Sequence, residues 1–185
     1  MSDKPLILVT NDDGIHAKGL RELVEVMQFF GDIIVISSEV SMSGKSCAIT
    51  VDQPLRAVPV EKIHGAPTYK SNGTPVDSVK LSFNSLLDRK PDFVVSGINH
   101  GTNSSISVIY SGTMGAAIEG SLHGVPSIGF SLDDYDNDAD FSKAKIMVAR
   151  VFQSVLENGI PPFTCLNVNI PQGKPKGIKV CRQAH

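Results

Sequence analysis

Two adjacent carboxylates, Asp12 and Asp13, follow a short apolar run, LILVT, and are flanked by Asn11 and Gly14. At the end of a buried strand such a pair is desolvated and self-repelling unless a cation or hydrogen-bond donors compensate it. On a regular strand the two side chains would point to opposite faces. A turn set by Asn11 and Gly14 lets both converge on one divalent ion, with oxygen ligands that suit Mg²⁺ or Mn²⁺. The alternative is an Asx turn whose acids are simply solvated. Ser43 offers a hydroxyl in a second polar loop, and Asn99 a neutral amide oxygen in a third. Each alone is an ordinary turn residue; with the acid pair they bring oxygen atoms from three strand ends to one crevice. Ser111-Gly112-Thr113 opens a helix with two hydroxyls and exposed backbone N–H groups, a phosphate cradle that is compatible with simple N-capping. A metal held by two carboxylates polarises a phosphoryl oxygen and lowers the pKa of a bound water, so the chemistry expected is phosphate ester hydrolysis. Position alone makes Asp12 the candidate general base. His100 is the other candidate, with a plain surface histidine as its alternative.

The elements that must position these residues alternate between strand and helix. Residues 6–10 read as a strand covered on both faces. Leu20, Leu23, Val24, Met27 and Phe30 then recur at helical spacing until Gly31. Residues 33–37 form a second buried strand and 38–46 a small, polar loop. Residues 47–70 carry Pro54, Pro59 and Pro67 among β-prone pieces and read as extended or edge structure. Thr74 suits an N-cap, Pro75 the first helical position and Asp77 the favourable end of the macrodipole, with Val76, Val79, Phe83, Leu86 and Leu87 as the apolar face. A third central strand, FVVS, opens at Phe93 and breaks at Gly97, with a polar loop over 102–108. A small-residue helix over 111–124, a strand over 127–132, a long amphipathic helix over 141–158 and strand candidates at 165–170 and 178–181 complete the chain. Such alternation predicts an α/β, Rossmann-like three-layer fold: a mostly parallel central sheet, right-handed crossovers and helices on both faces. Ligands then bind outside the carboxyl ends of the strands, where the loops at 11–14, 38–46 and 97–103 all lie.

The chain has 185 residues, which fits one domain able to bury a core of its own. Seventeen basic and 19 acidic residues give a net charge of −2. Five acids, Asp133, Asp134, Asp136, Asp138 and Asp140, are clustered; outside that cluster, charges nearly balance, so no broad basic face for nucleic acid is expected. An anionic substrate must be met locally, and a bound cation would supply the charge to do so. Cys47, Cys165 and Cys181 form neither a disulfide framework nor a C-x-x-C motif and are expected as buried thiols of a reducing compartment. The longest apolar runs are strand-sized and the Met1-Ser2-Asp3-Lys4-Pro5 start has no signal-peptide character, so a cytoplasmic protein without membrane association is expected.

Five segments in one order, Asn11-Asp12-Asp13-Gly14, Ser43-Gly44, Asn72-Gly73-Thr74-Pro75, Ser96-Gly97-Ile98-Asn99 and Tyr110-Ser111-Gly112-Thr113, resemble the SurE family (survival protein E), metal-dependent 5′/3′-nucleotidases. The likeness runs from about Leu6 to about Arg182. It implies one divalent ion per subunit, Mg²⁺ or Mn²⁺, held by Asp12, Asp13, Ser43 and Asn99, and phosphate release from nucleoside monophosphates, with polyphosphate trimming as a side activity. It also implies substrate contacts at Asn72, Ser111, Gly112 and Thr113, and a homodimer or a dimer of dimers. The family continues past the strand matching 178–181 with a hairpin and C-terminal helix used in subunit exchange; the expectation here is a single SurE-like domain from which that oligomerisation extension is missing. Two departures stand out. Val40-Ser41-Met42-Ser43-Gly44 lacks the basic residue of the family's Asn-Arg-Ser-Gly, and Asn99-His100-Gly101-Thr102-Asn103 carries an imidazole where a small residue is common. Both bear on substrate preference more than on the reaction.

Rival readings are weaker. Ser43-Gly44-Lys45-Ser46 echoes the end of a P-loop, but Glu39 occupies the first glycine position and β-prone residues follow in place of a helix. Asp134-x-Asp136-x-Asp138 imitates the opening of an EF-hand loop, with Ala139 at the required glycine and Lys145 at the closing glutamate. His16, His64, His123 and His185 share no zinc-ligand spacing. No G-x-G-x-x-G follows the first strand, which argues against a dinucleotide-dependent oxidoreductase. The functional alternative is a non-catalytic nucleotide-binding or regulatory module built on the same crevice.

Overall fold

The computed structural model describes residues 4–136 and 138–183. Met1, Ser2 and Asp3 of the start and Ala184 and His185 of the terminus lie outside the described residues. Among the described residues, seven strands form one sheet: β1 (Leu6–Thr10), β2 (Asp32–Ser38), β3 (Ala57–Ile63), β4 (Ala66–Ser71), β5 (Phe93–His100), β6 (Ser127–Asp133) and β7 (Cys165–Pro171). Their spatial order is β3-β4-β2-β1-β5-β6-β7, parallel throughout except for the β3–β4 hairpin at one edge. Four α-helices cover the faces: α1 (Lys18–Met27), α2 (Pro75–Leu81), α3 (Gly112–Leu122) and α4 (Ser142–Asn158). The three-layer α/β expectation is thereby met.

Strand alternation divides the core in two. Ile7, Val9, Val35, Val95, Phe130 and Ile128 face α1 and α4, where Phe152 packs its ring 5.0 Å from both Phe30 and Phe93. Leu8, Ile36 and Val94 face the other way, against Val79 of α2 and Ala116 of α3. Because β1 pairs with β2 on one side and β5 on the other, the chain reverses direction across the sheet between β1 and β5. That switch point opens a crevice at their carboxyl ends.

The local signals act as their chemistry dictates. Thr74 and Asp77 form a full capping box with Pro75 at the start of α2, and Ser111 accepts the Met114 N–H at the start of α3. The helix expected to run through Leu87 instead ends at Leu81, with a π-helical turn over Ser82–Leu86. No strand forms over 178–181. Ile178 and Val180 are 58% and 89% exposed, and with no layer to bury them their β propensity has nothing to act on. The three cysteines are free, as expected, but the burial expected of them fails: Cys47 and Cys181 are exposed on irregular chain and Cys165 is half-buried at the edge strand β7. Among the described residues no helix is long and apolar enough to cross a membrane.

Candidate active site

The β1 alternation that sends Leu8 toward α3 carries on through Thr10 to Asp12, which is 3% exposed under the N-terminus of α3. Thr113, fully buried, donates its hydroxyl to Asp12 Oδ1 at 2.5 Å, and the backbone N–H groups of Thr113 and Gly112 also favour the ionised carboxylate. Burial outweighs these donors and holds the Asp12 pKa above the ordinary carboxylate value. The turn after it is closed by Asn11, whose Nδ2 donates to the Gly14 carbonyl at 3.0 Å while its Oδ1 accepts from Ser37. Asp13 is half-buried. Burial first, and then repulsion from Asp12, pushes its pKa from 3.8 to about 6, against the His100 N–H that donates to its Oδ2 at 3.2 Å. The solvated Asx turn is thus not what forms: the turn is present, and its acids are desolvated and electrostatically unfavourable as a pair.

Asn99 reaches this place through an irregularity. Between Ser96 and Asn99 the pairing of β5 with β6 slips by one residue, a β-bulge that includes Gly97 and the cis peptide to Ile98. Gly97 has φ +128, and a Cβ there would sit 2.3 Å from the Phe130 carbonyl oxygen, so only glycine fits. The extra residue puts Ile98 with Val95 on the α1–α4 face, and hence Asn99 on the α3 face with Val94. Without the bulge, Asn99 would point away from Asp12. Its amide nitrogen donates to the carbonyls of His100 and Gly101 at 3.0 and 2.8 Å, which turns Oδ1 inward, 3.4 Å from the Thr113 hydroxyl. The strand expected to break at Gly97 therefore continues to His100, because pairing resumes at Asn99.

Ser43 lies in the exposed loop after β2, its hydroxyl 3.0 Å from Ser41 Oγ and within reach of the Asp13 carboxylate. The loop is tied to β1 through the Met42 N–H, which donates to the Asp12 carbonyl at 2.7 Å. Asp12, Asp13, Ser43 and Asn99 are therefore brought to one place. The floor beneath is polar: Thr10 Oγ1, Ser38 Oγ and Ser96 Oγ, at the ends of β1, β2 and β5, are buried without a hydrogen-bond partner in the structure.

The expected substrate contacts are placed differently from one another. The Ser111 hydroxyl caps α3, and Gly112 and Thr113 serve Asp12, so the cradle expected for phosphate is, in this structure, the seat of a carboxylate. Asn72 accepts the Arg56 N–H at 2.8 Å and donates to the Pro54 carbonyl at 3.0 Å, clamping a neighbouring loop with both ends of its amide. His100 turns its ring edge-on to Phe141, 5.1 Å between centroids. Glu119 is buried at 7% exposure and pairs with Lys80 and His123. What the sequence did not indicate is the Thr113–Asp12 bond, which depends on how α3 lies over β1. Its only signal is a hydroxyl residue at the first turn of a helix rich in small residues.

The donor set is two carboxylates, one amide oxygen and one hydroxyl. That is hard oxygen chemistry suited to Mg²⁺ or Mn²⁺, and the unfavourable charge of the acid pair fits a cation between them. Among the described residues no cluster of three or more His, Cys, Asp or Glu side chains offers a competing metal site.

Residues 7–185 match the family described as Survival protein SurE. The chain is 52% identical over 182 residues to the 5′-nucleotidase SurE of Bacteroides fragilis, covering 98% of this chain and 71% of that protein. It is 53% identical over 186 residues to the 5′-nucleotidase SurE of Cytophaga hutchinsonii, covering 98% and 72%. Among solved structures, the SurE protein from Aquifex aeolicus superimposes with a TM-score of 0.88 at 37% identity, covering 97% of this chain and 72% of that one.

Proposed function

The chain belongs to the survival protein SurE family and is a 5′-nucleotidase, a phosphoric monoester hydrolase, and we propose that it works through Asp12 and Asp13 with one divalent cation, Mg²⁺ or Mn²⁺, per subunit. The observation that carries this reading is the convergence of Asp12, Asp13 and the inward-turned Asn99 Oδ1 at the β1–β5 switch point. Asp12, Asp13, Ser43 and Asn99 would hold the ion. When bound it would polarise a phosphoryl oxygen and lower the pKa of a water.

The protein's own groups then have defined tasks. Thr113 fixes the Asp12 carboxylate through Oδ1, and burial keeps that carboxylate more basic than an exposed one, so Asp12 is proposed to take the proton from the attacking water. The His100 N–H holds Asp13 against the repulsion of its neighbour. The α3 N-terminus stabilises negative charge at the site, chiefly through Asp12 as the structure stands, with Ser111, Gly112 and Thr113 proposed to lie along the phosphate. Asn72 is proposed at the substrate side through the loop it clamps. Further parts of the proposal are a single SurE-like domain, activity on 3′-monophosphates and short polyphosphates beside the main reaction, a cytoplasmic location, no stable nucleic-acid or membrane partner, and assembly as a homodimer or dimer of dimers. The non-catalytic nucleotide-binding alternative has no observation in its favour.

The test is phosphate release from AMP and GMP after EDTA treatment and re-addition of each metal. Activity is expected to vanish with EDTA, return with Mn²⁺ or Mg²⁺, and fall by roughly 10²-fold or more in Asp12→Asn. Full activity in EDTA, or in that variant, would overturn the mechanism.

A further inference from the structure

Four aromatic rings are largely exposed among the described residues: Phe29, Tyr110, Tyr135 and Phe163. Phe29 and Phe163 lie just before β2 and β7, at the amino ends of the strands and away from the crevice. Tyr110 ends the turn that leads into Ser111. Tyr135, just past the carboxyl end of β6, is the one seated on the backbone of the site. A Cβ on Gly101 would lie 2.3 Å from the Tyr135 ring, so this ring is packed against Gly101, whose φ of +90 favours glycine besides.

Gly101 is continuous with the catalytic groups. Its carbonyl accepts the Asn99 amide at 2.8 Å, and the residue before it supplies the N–H that holds Asp13. Its own N–H donates to the Leu132 and Asp134 carbonyls at 2.8 and 3.0 Å, which locks the strand end to the segment that bears Tyr135. The acidic run around the ring is engaged in short-range bonds: Asp134 accepts from the Asp136 N–H, Asp136 from the Asp138 N–H, and Asp140 from the Ser142 N–H. These acids hold the loop and repel phosphate, and so leave the ring to something uncharged. Two residues of strand separate Asn99 from Gly101, roughly 7 Å, which leaves room for a sugar between a phosphate at the acid pair and a flat group at the ring. With 73% of its surface open, Tyr135 leaves most of its ring free for a ligand.

We propose that Tyr135 is the platform on which the nucleobase of the substrate stacks, a specificity residue for the uncharged end of a nucleoside monophosphate. The inference rests on the nucleotidase reading above. Stacking is tolerant of base identity, because every base has a π-face, so the platform selects nucleotides over simple phosphate esters without selecting one base.

The experiment compares wild type, Tyr135→Ala and Tyr135→Phe in metal-replete buffer, measuring KM and kcat for AMP and the inhibition constant of inorganic phosphate. Tyr135→Ala should raise KM for AMP about five- to tenfold and leave phosphate inhibition unchanged, while Tyr135→Phe stays near wild type on both. An AMP KM that does not move, or moves together with the phosphate constant, overturns the platform. Failure of the underlying reading looks different: the wild type itself would release no phosphate from AMP.

Discussion

Replacing Asp13 by asparagine should make the metal-free protein more stable while removing its activity. Asp13 titrates near 6 instead of 3.8, first because it is buried and then because Asp12 lies beside it. Between pH 3.8 and about 6 the folded protein keeps a proton that the unfolded chain has already lost, so stability falls as pH rises through that window, and the penalty is complete above about 6. A difference of that size corresponds to roughly 3 kcal/mol as an upper bound. Asp13 is only half-buried and relaxation and solvent screening reduce the figure, leaving about 1–2 kcal/mol, or ~2–8 °C in Tm for a chain of this length.

Asparagine keeps the shape and an oxygen for the His100 N–H while losing the charge, so the variant isolates the electrostatic part. Thermal or urea unfolding in EDTA at pH 8 should show Asp13→Asn above wild type, with the gap closing as pH drops from about 6 toward 4. Excess Mg²⁺ should reverse the order, since a ligand present at a hundred times its Kd stabilises the folded form by about 2.7 kcal/mol and the variant binds it poorly. A variant less stable than wild type in EDTA at pH 8, or a gap indifferent to pH, would refute the claim that the acid pair is held at a cost to the fold.

Two other substitutions probe the same constellation. Thr113→Val removes the hydroxyl that fixes Asp12; kcat should fall roughly 10- to 100-fold, with a stability loss of about 1–3 kcal/mol from the unsatisfied buried carboxylate, read by steady-state kinetics and urea melts. Ser43→Ala touches an exposed loop residue, so Tm should not move, while the Mg²⁺ concentration for half-maximal activity should rise roughly 10-fold, the low end of the range for losing one metal-site contact.

Much of the scaffold was legible in the residues. Continuous apolar runs at 6–10 and 33–37 imposed strands buried on both faces, and Thr74-Pro75 and Ser111-Gly112 placed two helix starts by chemistry that acts within a single turn. Position in such a sheet then brings the loops after β1, β2 and β5 to one edge whatever their side chains, which is why Asp12, Asp13, Ser43 and Asn99 could be grouped in advance. The errors lie where the outcome depends on neighbours distant in sequence. Residues 178–181 have strand-forming side chains and no strand, because propensity without a partner or a covering layer leaves a chain exposed. The same dependence on distant neighbours holds at Asn72, where which groups its amide meets is decided by the 54–56 segment.

The bulge at Gly97 shows most clearly what pattern reading lacks. Strict alternation from Val94 would send Asn99 to the α1–α4 face, behind the sheet from Asp12, and the carboxylates would have no amide oxygen opposite them. One inserted residue reverses that. The space for it is set by the Phe130 carbonyl on β6, which no local pattern in 93–100 announces. Glycine at 97 is thus part of the proposed site as much as Asp12 is: it carries no chemistry, and it decides on which face of the sheet Asn99 meets the acid pair.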